Sequence, residues 1–163
     1  MFIGLISDTH GVFSQEFRDF LAPVDEIWHA GDFGGGLATA EEIAAFKPLK
    51  GVYGNCDSRN LRFDHPLYRC WDCEGMKVLM THIGGSPGHY YPEARKLIEE
   101  HRPDIFVCGH SHILKVMTDP KYGFLYINPG AAGIQGWHPF RTALRFRIES
   151  GEISGMEVFK LGR

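Results

Sequence analysis

Side chains able to hold a metal ion gather at five places in this 163-residue chain: Asp8-Thr9-His10, Gly31-Asp32, Gly54-Asn55, Thr81-His82 and Gly109-His110-Ser111-His112. Taken singly they say little. Asp-x-His is commonplace, Gly-Asp is more often a turn than a ligand, and two histidines one residue apart also suit an exposed loop. Their placement is more informative, because each group follows an apolar run. The gaps from His10 to Asp32, Asp32 to Asn55, Asn55 to His82 and His82 to His110 are 22, 23, 27 and 28 residues, close to one strand-helix-strand repeat of roughly 30 residues. Loops at the carboxyl ends of adjacent strands converge on one crevice, where α/β sheets place their ligands. Imidazole and carboxylate donors suit Mn, Fe, Zn or Ni better than Mg or Ca, so the chemistry expected there is that of a borderline transition metal.

The elements that must position these loops are legible in the apolar pattern. Phe2 to Ser7 reads as a buried strand. Ser14 to Leu21 reads as a helix with Ser14 as N-cap, Phe17, Phe20 and Leu21 as its apolar face, and Pro23 beyond its end. Strands over Glu26 to Ala30 and Leu49 to Tyr53 flank a helix over Thr39 to Phe46, so the first third is β-α-β-α-β. Leu67 to Cys73 and Lys77 to Thr81 form a hairpin around Glu74-Gly75-Met76. A helix over Pro92 to His101 carries Ala94, Leu97 and Ile98 as its stripe, with Pro92 in the first turn. Strands then dominate, over Ile105 to Cys108, Leu114 to Asp119, Phe124 to Ile127, Thr142 to Ile148 and Glu152 to Lys160, with turns at Lys121-Tyr122-Gly123 and Ser150-Gly151. Parallel units followed by antiparallel hairpins imply two packed sheets with helices outside, an α+β arrangement in one domain over residues 1–163.

Together the motifs resemble those of the calcineurin-like metallophosphoesterase superfamily, and within it the small single-domain phosphodiesterase branch. The resemblance spans nearly the whole chain. The family pattern of Asp-x-His, Gly-Asp, Gly-Asn-(His/Cys)-Asp, a strand-terminal His and Gly-His-x-His falls here on Asp8/His10, Asp32, Asn55-Cys56-Asp57, His82 and His110/His112. It implies a four-layer α/β/β/α sandwich of two mixed sheets, the metallo-dependent phosphatase fold. It also implies two divalent metal ions, Mn first with Ni, Fe or Zn as alternatives. Asp8, His10, Asp32 and His112 would hold one ion, and Asp32, Asn55, His82 and His110 the other, with Asp32 bridging. Two dipositive ions, two carboxylates and a hydroxide sum to about +1, which keeps such a site attractive to an anion. Water shared by the ions would be the nucleophile that hydrolyses a small phosphodiester. Asn55, Cys56, Asp57 and His82 are the residues expected nearest the chemistry.

Departures from the pattern carry their own expectations. Cys56 stands where many relatives have a histidine that assists the leaving group. A thiol is a poorer proton donor at neutral pH, so aryl leaving groups should be preferred over alkyl ones, unless Cys56 is only a small filler. Asp57 would support the Asn55 loop or cap its turn. Ile83-Gly84-Gly85-Ser86 replaces the more usual Gly-His continuation after His82 and reshapes the pocket wall. His29 reads as a satisfied strand histidine, and His65, His89, His101 and His138 have no partner at ligand spacing. Of these, His89 and His138 lie in loops placed to line a substrate entrance. Asn128-Pro129-Gly130 suggests packing near the site, and Gly34-Gly35-Gly36 lets backbone pass close to the Asp32 turn.

Composition bounds the alternatives. Hydrophobic residues make up 44% and charged residues 23%, leaving little room for disorder. The net charge of −3, with 17 Lys plus Arg dispersed along the chain, offers no basic stripe for long nucleic acid or an anionic membrane. The apolar start is too short for a signal peptide, and no run approaches the roughly 18 residues of a membrane span, so a cytoplasmic protein is expected, with homo-oligomerisation open. Cys56, Cys70, Cys73 and Cys108 read as free thiols, since Cys70 and Cys73 lie on opposite faces of a strand. The competing readings are a phosphomonoesterase with the same site, or a protein-binding scaffold such as the retromer subunit of this fold, whose metal site is degenerate.

Overall fold

A computed structural model describes residues 1–163. In chain order the elements are β1 (Phe2–Ile6), α1 (Gln15–Leu21), β2 (Glu26–His29), α2 (Ala38–Phe46), β3 (Leu49–Gly51), α3 (Leu61–Asp64), β4 (Tyr68–Cys73), β5 (Met76–Thr81), β6 (Gly85–Ser86), β7 (His89–Tyr90), α4 (Pro92–His101), β8 (Ile105–Val107), β9 (Leu114–Thr118), β10 (Leu125–Pro129), β11 (Phe140–Glu149) and β12 (Glu152–Gly162). Side chains along a strand alternate between faces, and here both faces are apolar. Ile3 and Leu5 of β1 enter one buried cluster, while Phe2 and Ile6 enter another. Val78 and Met80 of β5 join the first cluster, and Leu79 faces away into a third. A strand covered on both sides needs a layer on each, and that requirement builds the sandwich.

The strands form two five-stranded sheets, ordered β12-β11-β1-β2-β3 and β4-β5-β8-β10-β9. Each is mixed. β1, β2 and β3 run parallel, β11 is antiparallel to β1 and β12 to β11; β5, β8 and β10 run parallel while β4 and β9 are antiparallel edges. The first cluster, with Trp28, Leu144 and Phe146 from one sheet and Val78, Ile105 and Ile127 from the other, lies between the sheets. Phe17 and Leu21 of α1 and Ile43 of α2 cover the outer face of the first sheet, and Ala94 and Ile98 of α4 that of the second. α1 comes close because β1 carries Gly4 beneath it; a Cβ there would sit 3.2 Å from Val24 and would overlap Leu21.

The expected α+β sandwich of two mixed sheets with helices outside is therefore the observed one, with local corrections. β3 stops at Gly51, short of Tyr53, because the Tyr53 amide turns away to donate to the Pro66 carbonyl at 3.1 Å. Ser14 occupies the N-cap position of α1 without a side-chain capping bond, its hydroxyl meeting Arg141 Nη2 at 3.3 Å instead. α2 begins at Ala38 rather than Thr39. The one-turn helix α3, four residues long, and the small β6–β7 ribbon are too short to show periodicity and are additions. Glu74-Gly75 and Ser150-Gly151 close two-residue hairpins with positive φ at each position, the geometry that fits the twist of the strands. All four cysteines are free, Cys73 facing the inter-sheet core and Cys70 the layer under α4. No helix is long and apolar enough to cross a membrane.

Candidate metal centre

The ligand-bearing loops leave the carboxyl ends of β1, β2 and β3 in one sheet and of β5 and β8 in the other, so they meet across the seam between the sheets. Backbone bonds lace them together. Asp8 donates to Gly31 O at 2.9 Å, His10 to Asp32 O at 3.1 Å, and Gly109 to His82 O at 3.0 Å. The approach is close enough that glycine is required beside the ligands. A Cβ on Gly54 would overlap the Asp32 side chain and amide, and one on Gly31 would lie 2.5 Å from His82 Nδ1.

Each carboxylate has one oxygen held by the protein and the other left to face the centre. Asp8 Oδ2 accepts from the Ser7 hydroxyl at 2.6 Å and the His110 amide at 3.2 Å, while its buried Oδ1 has no hydrogen-bond partner. Around Asp8 Oδ1 stand the Nε2 atoms of His112 at 3.1 Å and of His10 and His82 at 3.9 Å. Asp32 Oδ1 accepts from the Cys56 amide at 2.8 Å, and its Oδ2 lies 3.2 Å from His82 Nε2 and 3.9 Å from His10 Nε2. His82 Nδ1 donates to the Ala30 carbonyl at 2.7 Å, which leaves Nε2 as the lone-pair nitrogen of a neutral ring. That buried nitrogen faces the Asp32 carboxylate without a hydrogen bond between them. Two acceptors held at that distance repel unless a cation lies between them. A proton on Nε2 would serve in part. Although burial opposes it, the adjacent Asp32 carboxylate, and with it Asp8, raises the His82 pKa. Burial likewise pushes Asp32 up, but His82, the Cys56 amide and His10 outweigh it and hold the carboxyl well below the usual carboxylate range. Oxygen and imidazole donors in this arrangement fit a divalent transition metal.

Asp8, His10 and His112 form one converging group, Asp8, Asp32 and His82 a second, and His10, Asp32 and Cys56 a third. His110 packs edge-on to His82 with ring centroids 5.3 Å apart. Burial, then the neighbouring His82, keeps its pKa low. Asn55 lies on the exposed rim of the same cleft, and its amide meets Cys56 Sγ at 3.3 Å rather than the carboxylates. Asp57 points away from the cleft and braces it, accepting from the Gly54 amide at 2.7 Å and the Gly34 amide at 3.0 Å. Burial and then the Asp32 charge push the Cys56 thiol up.

Of the supporting groups, Ser7 and the Ala30 carbonyl carry no signal in the sequence beyond adjacency, whereas Asn128 is expected near the site and His29 within a strand. Ser7 and the Ala30 carbonyl orient Asp8 and His82 as described. Asn128 ties down the Gly-His-Ser-His loop, donating to Gly109 O at 2.9 Å and Ser111 Oγ at 3.1 Å. His29 is satisfied, as expected, and also joins two loops: Nδ1 accepts from the Gly31 amide at 3.2 Å, and Nε2 meets Thr9 Oγ1 at 2.9 Å. His138 lies along the metal cleft and His89, in β7, along a neighbouring one.

A two-sheet sandwich with carboxylates and imidazoles gathered where its parallel strands end defines a class of metal-dependent hydrolases. The model of the calcineurin-like phosphoesterase superfamily domain matches residues 1–151, and the chain belongs to that family. Among solved structures it is similar to Vps29 from Entamoeba histolytica complexed with zinc, at 17% identity over 99% of each chain and a TM-score of 0.75. It is also similar to an archaeal phosphodiesterase, at 21% identity over 98% of this chain and 100% of that one, with a TM-score of 0.71. A predicted phosphoesterase from Streptococcus pneumoniae shares 22% identity over 99% of this chain and 88% of its own, with a TM-score of 0.67. These likenesses establish the fold. No curated protein matches the chain at a significant level.

Proposed function

We propose that this chain is a phosphodiesterase that uses two divalent transition-metal ions, Mn first, to hydrolyse a small phosphodiester. The observation that carries the reading is the pair of facing acceptors, His82 Nε2 and Asp32 Oδ2 at 3.2 Å, beside the unpartnered Asp8 Oδ1. Asp8, His10, Asp32 and His112 would hold one ion and Asp32, Asn55, His82 and His110 the other. When bound, such ions lower the pKa of water and draw charge from the phosphoryl oxygens. The chain's own contribution is to fix the donors. Ser7 and the His110 amide occupy one oxygen of Asp8, the Cys56 amide one oxygen of Asp32, and Ala30 the outer nitrogen of His82. Ligands held in this way keep their orientation and tautomer.

Preference for a diester rests on charge. The metal cleft is lined by His10, Asp32, Asn55, His110, His112 and His138 among others, with neither Lys nor Arg. A monoester dianion has a second charge that such a lining does not meet, whereas a diester carries one. The thiol of Cys56 on the rim is placed to lend weak help to a departing oxygen. Free thiols and the absence of a basic stripe suit a cytoplasmic enzyme acting on small substrates rather than long nucleic acid.

The test is hydrolysis of bis-p-nitrophenyl phosphate and p-nitrophenyl phosphate by chelator-stripped protein with Mn, Ni, Fe, Zn or Mg restored, beside Asp32→Ala. Diester cleavage should return with Mn and vanish in the variant. Faster monoester cleavage would overturn the diester preference. No turnover on either substrate, with metal analysis showing a filled site, would replace the enzyme by a protein-binding scaffold.

A further inference from the structure

Two further cavities adjoin the metal cleft through shared lining residues, and one is far more apolar than the other. One, of about 270 Å³, shares Asn55 with the metal cleft and runs between the β3 loop and α4, lined by Tyr53, Leu67, Ile83, Ala94 and Leu97. Its only formally charged residue is Glu93, so it repels anions and accepts apolar surface. The other, of about 480 Å³, shares His110 and Ser111 with the metal cleft and runs between the β6–β7 ribbon and β9. Besides Ile113 and the rings of Tyr91 and Tyr126 it is lined by Ser86, His89, Ser111 and Lys115, and it carries no carboxylate. Lys115 is half-buried and forms no salt bridge, unlike Arg18, Lys50 and Arg145. Ser111 Oγ accepts from the Ile113 amide and from Asn128 Nδ2, which leaves its proton free to donate into the cavity. The exposed side chain of Tyr91, whose amide donates to Gly84 O at 3.2 Å, lines both cavities and separates them.

A phosphodiester has two arms, and this centre offers them two unlike seats. Resting on the phosphodiesterase reading above, we infer that the substrate is an unsymmetrical phosphodiester joining a ring-sized apolar alcohol to a carboxylate-bearing one. The apolar arm lies against Ile83 and Leu97. The anionic arm reaches Lys115 and Ser111. Tyr91 divides the arms, so exchanging them across phosphorus costs affinity on both sides. This assigns the glycine-rich departure after His82 a role, because Gly84 and Gly85 carry the chain from the His82 loop into the ribbon that walls the polar cavity.

The test compares p-nitrophenyl phosphodiesters whose second arm is ethyl, 2-carboxyethyl or choline, and, for binding without turnover, phenylphosphonate monoesters with the same second arms measured by calorimetry. A charge-assisted contact to a half-buried lysine should favour carboxyethyl over ethyl by roughly five- to tenfold in kcat/KM and in 1/Kd, with choline weakest. Lys115→Met should bring the carboxyethyl-to-ethyl ratio close to one, and Lys115→Arg should keep it above one. Ile83→Gln should lower the preference for an aryl over a methyl ester by about fivefold, through lost apolar contact, while leaving the carboxyethyl-to-ethyl ratio intact. Each readout is a ratio within one variant, so partial misfolding does not mimic it. Equal binding and turnover of the three arms, or a carboxyethyl preference that survives Lys115→Met, would overturn the inference while the diesterase stands. Cleavage of monoesters alone would remove the diesterase, and the phosphonate ratios would then decide the two-seat arrangement by themselves.

Discussion

Left-handed backbone occurs at both ends of the sandwich, for different reasons. At the end away from the metal cleft, Glu74 and Ser150 have φ of 48° and 49°, and each is followed by a glycine in a two-residue hairpin turn. The two turns touch, Gly151 donating to the Glu74 carbonyl at 2.7 Å. Local twist explains those angles completely. At the cleft end, Asp8, His10, Asp32, His110 and His112 have φ between 46° and 68°, and none closes a hairpin. Bonds between loops hold Asp8, His10, Asp32 and His110 there, and all five are candidate ligands. Strain imposed by the surroundings on residues of one chemical kind marks a site. Strain confined to a turn marks a turn.

The sharpest way to break this comparison is to remove the carboxylate shared by the two proposed ions. Asp32→Ala deletes a donor facing His82 and His10, and diester turnover should fall on the order of 10³-fold or more, with metal content falling too. Retention of turnover within tenfold would show that the cleft-end strain serves something else. Next in size is one substitution made at both ends. Gly54→Ala drives a Cβ into Asp32, whereas Gly151→Ala at φ 78° finds its nearest neighbour at 3.9 Å. The first should cost about 3 kcal/mol or more in urea unfolding, and the second about 1 kcal/mol. Equal costs would mean that the cleft loops yield as easily as a hairpin.

Much of this layout was legible in the residues. Apolar runs such as Phe2–Ile6 and Ile105–Val107 announce buried strands because both faces are covered, and the following Asp or His is conspicuous because a charge at a strand end needs a reason. The paired sheets followed from the change from long crossovers to hairpins. What the pattern did not contain was anything set by contacts distant in sequence. The β3 boundary depends on Pro66, the freed hydroxyl of Ser14 on Arg141, and the orientation of His82 on a carbonyl 52 residues away. The direction of Asp57, with its carboxylate on the Gly34 and Gly54 amides, also needed the fold.

His29 offers a smaller test, through pH. Burial first, and then the charge of His65, hold its pKa well below the ordinary 6.5. The folded state therefore keeps the ring neutral, while the unfolded chain takes up a proton below that value. The associated stability is complete above the unfolded pKa and is lost as pH falls through it, by about 1.4 kcal/mol at pH 5.5. Urea unfolding of metal-free protein should show that loss, and His29→Gln should flatten the curve by the same amount. An unchanged pH dependence in the variant would mean that the ring accepts a proton when folded, and that its bonds to Thr9 and Gly31 do not fix its state.

The smallest expected effect bears most directly on what the two ends share. Asparagine tolerates left-handed backbone better than glutamate or histidine, so Glu74→Asn should stabilise the protein by about 0.5 kcal/mol and leave turnover unchanged. His112→Asn relieves the same conformation, at φ 59°, and in metal-free protein should be neutral or stabilising on the same scale. On adding Mn the two should part. Filling the centre satisfies Asp8 Oδ1 and His82 Nε2 and should raise Tm in the wild type and in Glu74→Asn, while His112→Asn should lose most of that rise along with its activity. If the metal-dependent rise survives in His112→Asn, the histidine is held left-handed for packing rather than for a ligand, and the cleft-end strain reduces to the kind seen at the hairpins.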